Sequence, residues 1–329
     1  MMNRSLLSVC SLLILGLAAC DRPPPQVVAE RAAEVAPHTT DDFLGSKRVL
    51  LVTGATGTQG GAVARELLDR GHIVHGLTRD PESEEARALA ALGAKMVKGD
   101  FDDPASLAAA VEGVDGVFGV TLFWPQGYEY EVEQGKRLID AAVKAGVGRF
   151  VLTSVAGADD DTGISHFESK WEVEQYLHGT DLDWTILRPV EFMDNWSWSI
   201  ESLRQGRYVD PRDTQSSHQW IAARDIGFFA AEAFDNPDQW IGVTKEIAGD
   251  VLTLAELIDT LSEAFGREFE HVQISWEVYK ARAGEEITTM VRWFEEQGYD
   301  VDVEALREQY PGLQTAAEFL ADLAVTAPR

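Results

Sequence analysis

Short apolar runs alternate with amphipathic stretches along the first half of the chain. The pattern predicts strands over residues 48–53, 72–77, 95–97, 117–121, 150–154 and 184–187, and helices over residues 62–70, 84–92, 128–145 and 165–177. Gly71 follows the first helix where a left-handed C-cap is favoured, and Asp103 and Pro104 open a further helix as N-cap and first residue. Regular strand and helix alternation predicts an α/β fold with a doubly wound parallel sheet.

The alternation loosens after Pro189, which divides the chain into two parts. Six of the nine tryptophans lie beyond this point, and most are expected in a core because large aromatic side chains pack well there. We predict one domain over residues 47–190 and a small mixed α/β domain over residues 191–329. The prediction includes the alternative that one strand of the second domain joins the sheet of the first.

A glycine turn links the first predicted strand to the first predicted helix. Glycines at every third position let the backbone turn tightly and approach a pyrophosphate, which the helix N-terminus then receives. A purely structural turn is the alternative, but the position between strand and helix favours a dinucleotide site and hence a Rossmann domain. The residues expected to hold the pyrophosphate are Gly54, Ala55, Thr56, Gly57, Thr58, Gln59 and Gly60.

Coenzyme choice in such a site is read at the end of the second strand. Arg79 favours NADP(H) over NAD(H), because a guanidinium pairs with the 2′-phosphate and stacks on adenine. Asp80 leaves two alternatives open, as an NAD selector that accepts from the ribose or as the capping partner of Pro81. Asp100 and Phe101 follow the third strand and are expected to set the adenine pocket.

Composition excludes several functional classes. The 329-residue chain has 28 basic and 55 acidic residues, a net charge of −27, which argues against direct nucleic-acid binding. Both cysteines, Cys10 and Cys20, lie in the first twenty residues, so the body of the protein has no disulfide, catalytic thiol or cysteine-ligated zinc. No histidine pair has metal-ligand spacing, and Asp159 to Asp161 read as a solvated loop, so no metal is expected.

The N-terminal segment is typical of an export signal. Its apolar run over residues 6–19 is shorter than the roughly 20 residues that span a bilayer, and Leu17 to Cys20 resemble the lipobox of bacterial lipoproteins. That resemblance implies a signal peptide over residues 1–20, lipid on Cys20, a proline-containing tether over residues 21–46, and an envelope protein that Asp21 retains at the inner membrane. An uncleaved anchor or an upstream start codon are the alternatives, and without a working signal the protein is cytoplasmic.

Several motifs together resemble the NmrA-like family of atypical short-chain dehydrogenases. They are the segments 52–61, 99–103, 120–124, 133–136 and 166–170, and the resemblance extends from Lys47 to Gly312. It implies a Rossmann domain with a small C-terminal domain. It also implies NADP(H) binding by either a reductase or a redox sensor.

The resemblance also implies further cofactor contacts. Lys136 and Lys170 would line the ribose and nicotinamide together with the segment after the fourth strand, and the segment after Pro189 would close over the nicotinamide. These two segments contribute Thr121, Leu122 and Phe123, and Glu191, Phe192, Met193 and Asp194.

Related dehydrogenases place a serine about a dozen residues before a tyrosine and a lysine four residues after it. Ser154, His166 and Lys170 occupy those offsets here, with histidine where the phenol is expected. His166 is a candidate proton donor, a non-catalytic pocket residue or a helix cap. The leading hypothesis is therefore an NADPH-dependent oxidoreductase acting on a small carbonyl or quinone. The alternative is a non-catalytic redox sensor that regulates a protein partner.

Overall fold

The computed structural model describes residues 47–124 and 126–326. The predicted signal peptide, the tether, Cys20 and Asp21 lie outside this part of the chain. Within the described residues, no helix combines the length and apolarity needed to cross a membrane.

The strands, in chain order, are β1 Val49–Val52, β2 Ile73–Thr78, β3 Lys95–Lys98, β4 Gly116–Gly119, β5 Arg149–Thr153, β6 Trp184–Pro189, β7 Glu191–Phe192, β8 Arg207–Asp210, β9 Ser217–Ile221, β10 Val243–Ile247, β11 Asp250–Thr253 and β12 Glu270–Gln273. The helices are α1 Thr58–Asp69, α2 Glu84–Ala91, α3 Pro104–Val111, α4 Tyr128–Ala145, α5 Ser165–His178, α6 Ile200–Arg204, α7 Ala223–Asp235, α8 Pro237–Trp240, α9 Leu254–Phe265, α10 Trp276–Ala283, α11 Glu285–Glu296, α12 Val303–Gln309 and α13 Ala316–Thr326. A 3-10 helix spans Met193–Ser199.

Seven of the strands in the described part of the chain form one parallel sheet, in the order β10-β6-β5-β4-β1-β2-β3. The chain moves outward from β1 to β3 and then returns to β4 on the other side of β1. This is the order of the NAD(P)-binding Rossmann fold, which confirms the predicted fold class. Strand order reverses between β1 and β4, and ligands of such sheets bind at the carboxyl ends of the strands there.

Local sequence accounts for most of the element boundaries. Asp103 caps α3 by accepting from the backbone of Ala105 at 3.0 Å, and α4 ends at Gly146, whose φ of +69° few other residues adopt. Helix α1 begins four residues before its predicted start. Its first turns contain Gly60 and Gly61, and because glycine has a low helix propensity the sequence pattern does not predict a helix there.

Two elements from the later part of the chain complete the Rossmann layer. Strand β10 pairs with β6, and α7 packs against α1. At that helix contact a β-carbon on Gly227 would lie 2.9 Å from the carbonyl oxygen of Ala62, so the two backbones approach closely because Gly227 has no side chain. The sheet is thus built from both sides of Pro189.

The rest of the C-terminal part has its own small core. The described strands there form a three-stranded sheet, β11-β9-β7, and a two-stranded sheet, β12-β8. The core side chains include Trp196, Trp220, Leu257 and Phe269, all at most 5% exposed. These buried tryptophans account for part of the aromatic content beyond Pro189.

Candidate functional site

The turn between β1 and α1 is a tight backbone cradle. Gly54 has a φ of +59°, and a β-carbon there would lie 2.6 Å from Val120 Cγ1. A β-carbon on Gly60 would lie 2.4 Å from the carbonyl oxygen of Gly54, so α1 can begin directly against the turn only with glycine at this position. The Gly57 amide donates to the same Gly54 carbonyl at 2.9 Å.

The start of α1 is open to an anion. Its N-cap is Gly57, which has no side chain to cap the helix, and its first turn contains no acidic residue. The first backbone N–H groups of a helix lack intrahelical partners and carry the positive end of its dipole. The cradle therefore presents donors where a pyrophosphate is expected.

A cavity of about 630 Å³ opens in front of this turn, at the switch point of the sheet. Its size is that of a typical cofactor pocket. The predicted cofactor residues that line it are Gly54, Thr56, Gly57, Thr58, Gln59, Gly60, Arg79, Asp100, Phe101, Thr121 and Leu122. Ala55 is buried beneath the turn and is only 2% exposed.

The end of β2 carries the coenzyme-selecting residues. Arg79 is exposed at the cavity, and its guanidinium has no hydrogen-bond or ion-pair partner in residues 47–124 and 126–326. Asp80 also lines the cavity, but one of its oxygens accepts from the Glu82 amide at 2.9 Å. The N-cap of α2 is Ser83 rather than Asp80. At this end of the cavity the Arg79 guanidinium, without a partner in the described part of the chain, lies next to the Asp80 carboxylate, which is bonded through one oxygen.

The Asp100–Phe101 corner is held by α3 and α4. The Asp100 amide donates to Ser106 Oγ at 2.9 Å, and its carboxylate accepts from the Asp102 amide at 3.0 Å. Arg137 donates to the Phe101 carbonyl at 3.1 Å. Both predicted adenine-side residues are therefore fixed by local bonds while they face the cavity.

The loop after β4 forms the opposite cavity wall. Thr121 Oγ1 donates to Glu131 at 2.8 Å, and the Leu122 amide donates to Gln134 at 3.0 Å, so α4 holds this loop in place. Phe123 is not part of the cavity lining. Its ring lies 5.5 Å from the ring of His166, measured between centroids.

The predicted Ser154, His166 and Lys170 lie at the end of β5 and the start of α5. Ser154 is 5% exposed, and its hydroxyl has no hydrogen-bond partner among the described residues. The Nδ1 atom of His166 lies 2.7 Å from Glu286 Oε1, and its ring packs between Phe123, Trp124 and Phe167. His166 therefore faces the aromatic wall beyond the cavity.

The family model of the NmrA-like family matches residues 46–320. The chain belongs to the NmrA-like family. A relative, the NAD(P)H azoreductase of Xenophilus azovorans, is 33% identical over 233 residues, covering 70% of this chain and 79% of the relative.

Solved structures share the fold of this NmrA-like protein. The NADPH-dependent quinone oxidoreductase of Escherichia coli, complexed with NADPH, matches with a TM-score of 0.72 and 23% identity over 84% of this chain and 99% of that one. The negative transcriptional regulator NmrA in complex with NADP matches with a TM-score of 0.69 and 19% identity over 85% and 96%.

One residue of the NmrA-like site was missed by sequence reasoning. Glu131 has no exposed surface, and its carboxylate accepts from Lys170 Nζ at 2.7 Å, from Thr121, and from the Ser169 hydroxyl. Burial alone would raise the pKa of Glu131, but Lys170 and the two hydroxyls outweigh it and hold the pKa below its usual value. Glu131 thus joins the cavity loop to the predicted ribose lysine.

Lys136 does not reach the cavity. Its ammonium bonds to Glu172 at 2.7 Å, and Tyr128 donates to the same carboxylate at 2.6 Å. Glu131 and Lys136 are five residues apart, which places them about 140° apart around α4 at 3.6 residues per turn. Glu131 and Lys136 therefore lie on different sides of α4, and the expected ribose contact of Lys136 stays a prediction.

The segment after Pro189 does not line the cavity either. Met193 is fully buried in the C-terminal core, and Phe192 packs against the Rossmann core. Asp194 accepts from the Ala223 amide at 2.8 Å at the start of α7. Burial raises the pKa of Glu191 even though Arg212 lies 3.3 Å away. The segment therefore packs between the two parts of the chain, where its side chains contact the Rossmann core, the C-terminal core and the start of α7.

Residues 47–124 and 126–326 contain no cluster of three or more potential metal ligands. In the acidic loop, the carboxylate of Asp159 accepts a hydrogen bond from Arg188 at 2.6 Å and so already has a cationic partner.

Proposed function

We propose that this NmrA-like protein binds NADP(H) in the cavity and reduces a small carbonyl or quinone. The observation that carries the proposal is the cavity itself, whose wall combines the glycine cradle and open start of α1 with the guanidinium of Arg79, for which residues 47–124 and 126–326 supply no partner. These groups fit a dinucleotide diphosphate at one end and a 2′-phosphate at the other.

The coenzyme preference rests on Arg79. The Arg79 guanidinium, which has no partner among the described residues, keeps its donors available for a phosphate, whereas Asp80 has one oxygen bonded within a turn. We therefore expect NADP(H) to bind more tightly than NAD(H). The azoreductase relative is named for both NADH and NADPH, which is compatible with a preference for NADP(H) here.

The reaction divides between coenzyme and protein. A bound reduced nicotinamide supplies a hydride. His166 supplies the proton from its ring, and Lys170, held by Glu131 at 2.7 Å, orients the ribose. The quinone oxidoreductase with the same fold, together with the azoreductase relative, supports an acceptor of this kind.

A redox sensor is the second candidate. The cavity loop exposes Leu122 by 50% and Trp124 by 45%, which gives a protein partner an apolar contact beside the bound nucleotide. The NADP complex of a transcriptional regulator with this fold supports such a role. Nucleotide-dependent association without NADPH consumption favours the sensor, and acceptor-dependent consumption favours the reductase.

The test of the binding site is a tryptophan-fluorescence titration with NADPH, NADP⁺, NADH and NAD⁺. Arg79→Ala is expected to weaken NADPH binding at least about tenfold, since a hydrogen bond to a charged group contributes about 1.5–3 kcal/mol. NADH binding stays unchanged. Arg87→Ala, an exposed arginine on α2 paired with Glu82, is the matched control. Absence of binding of all four nucleotides at millimolar concentration would overturn both candidate functions.

The N-terminal sequence supports a location at the cell envelope. Cys20 in its lipobox-like context is proposed to carry lipid, with Asp21 favouring the inner membrane. Metabolic labelling with a fatty acid should mark the wild-type chain, and Cys20→Ser should not be marked, while Cys10→Ser serves as the control. Lipid on the Cys20→Ser chain would refute the assignment.

A further inference from the structure

His166 is joined to the C-terminal part of the chain through one carboxylate. Glu286, in the first turn of α11, lies 120 residues further along the chain, yet its Oε1 is 2.7 Å from Nδ1 of His166. The side chains are 12% and 25% exposed, so the contact is largely shielded from water. The contact is thus a partly buried hydrogen bond between two parts of the chain.

Glu286 also occupies the start of α5. The N-cap of that helix is Ile164, which has no polar side chain, and the backbone amide of His166 donates to the same Glu286 oxygen at 3.0 Å. A carboxylate is favoured at a helix N-terminus. Burial raises the pKa of Glu286, but the His166 ring and backbone bonds outweigh it and lower the pKa, so the carboxylate is ionised near neutral pH.

The ionised carboxylate determines which ring nitrogen carries the proton. A carboxylate can only accept hydrogen bonds, so Nδ1 of His166 must be the donor. Nε2 has no hydrogen-bond partner among the described residues and remains the nitrogen available to a substrate. Opposite the ring, the cavity loop contributes the aromatic side chains of Phe123 and Trp124.

We propose that Glu286 is a positioning residue that holds the Nδ1–H of His166 and thereby makes Nε2 the nitrogen from which the charged ring transfers a proton to the reduced acceptor. This inference rests on the proposed reductase function. When the acceptor has received a hydride, the Nε2–H bond of the charged ring breaks and the proton bonds to the acceptor. The ring is left neutral with Nδ1–H donating to Glu286, and a proton taken up from the solvent restores Nε2–H.

The first experiment measures the ring without any turnover. The full chain is labelled with ¹⁵N at histidine, and the His166 resonances are assigned by their loss in His166→Asn. The neutral wild-type ring is expected in the Nδ1–H form, retained in Glu286→Gln, which keeps an acceptor oxygen, and lost in Glu286→Ala. A neutral wild-type ring protonated on Nε2 would overturn the proposal.

The second experiment separates positioning from helix capping. Glu286→Ala should lower kcat at least about tenfold, within the range of a general acid–base contribution, while KM for NADPH stays unchanged. In a His166→Asn background the same substitution should have no further effect on kcat. A full additional loss in that background would show a purely structural cap and contradict the proposal.

Glu285→Ala is the matched control, because Glu285 is the neighbouring exposed carboxylate of α11 and pairs with Lys280. It should leave both the ring tautomer and kcat unchanged. If the wild-type chain consumes no NADPH with any carbonyl or quinone, the proposed reductase function fails. The tautomer measurement still decides whether Glu286 positions His166.

Discussion

The ammonium of Lys170 lies 2.7 Å from a carboxylate, that of Glu131, which has no exposed surface. Desolvating a carboxylate is costly, and this one is compensated by Lys170, Thr121 and Ser169 together. The pair is thus part of the folded structure as well as of the candidate site. Its energetic effect can be separated from that of an ordinary surface pair on the same two helices.

Replacing Lys170 should destabilise the protein strongly. Lys170→Met leaves Glu131 buried without its cation, and we expect a loss of about 3–5 kcal/mol in the free energy of unfolding. Lys136→Met is the matched control, because Lys136 has the same 2.7 Å distance to Glu172 but both side chains are 31–40% exposed. Its expected loss is about 0–1 kcal/mol. Equal losses in urea unfolding would contradict the assignment.

Stability should also depend on pH through Glu131. Its folded pKa lies below the usual value of 4.5, so its contribution to stability is fully present above that value and is lost as the pH falls through the folded pKa. Urea midpoints measured downward from neutral pH should fall more steeply in the wild type than in Glu131→Gln. Parallel pH curves for the two proteins would refute this.

The glycine cradle should not tolerate a methyl group at its third position. In Gly60→Ala the new β-carbon meets backbone at 2.4 Å, and we expect about 1–3 kcal/mol of destabilisation and at least a tenfold loss of NADPH affinity. Gly179→Ala is the control, since its β-carbon would have no neighbour closer than 3.4 Å. Fluorescence titration and urea unfolding measure the two effects, and unchanged NADPH affinity would exclude Gly60 from the binding turn.

His166 should affect turnover but not binding. His166→Asn removes the proton donor and should lower kcat about 10²-fold or more, with the Kd for NADPH unchanged. His178→Asn, on the last turn of the same helix beside Trp184, is the control. Wild-type turnover in His166→Asn would remove His166 from the chemistry, and the reductase would then need another proton donor.

Helix caps, helix bounds and the glycine turn could be predicted from the sequence because they depend on neighbouring residues. The cap of α3 by Asp103, the bounds of α4 and the turn at Gly54 depend on nearby residues and agree with the pattern. The cavity follows from the turn and the parallel sheet, because strand order places the ends of β1, β2 and β4 together.

The partners that complete the site could not be predicted in this way. Glu131 meets Lys170 across 39 positions of the sequence, and Glu286 meets His166 across 120. Neither carboxylate has a spacing signal, since only the packing of α4 on α5 and of the C-terminal part on α5 brings the groups together. The bond of Lys136 to Glu172, 36 positions away, is a third contact of this kind, because a motif match does not predict the partner of a side chain on a helix.

The return of β10 to the edge of the sheet has a consequence for synthesis. The nucleotide-binding layer needs β10 beside β6 and α7 over α1, and both are translated after residue 222. The first 190 residues therefore leave the ribosome with an unpaired strand edge and an uncovered apolar helix face. A chain cut at Pro189 lacks both elements, and we expect it to aggregate rather than give a free-standing nucleotide-binding fragment.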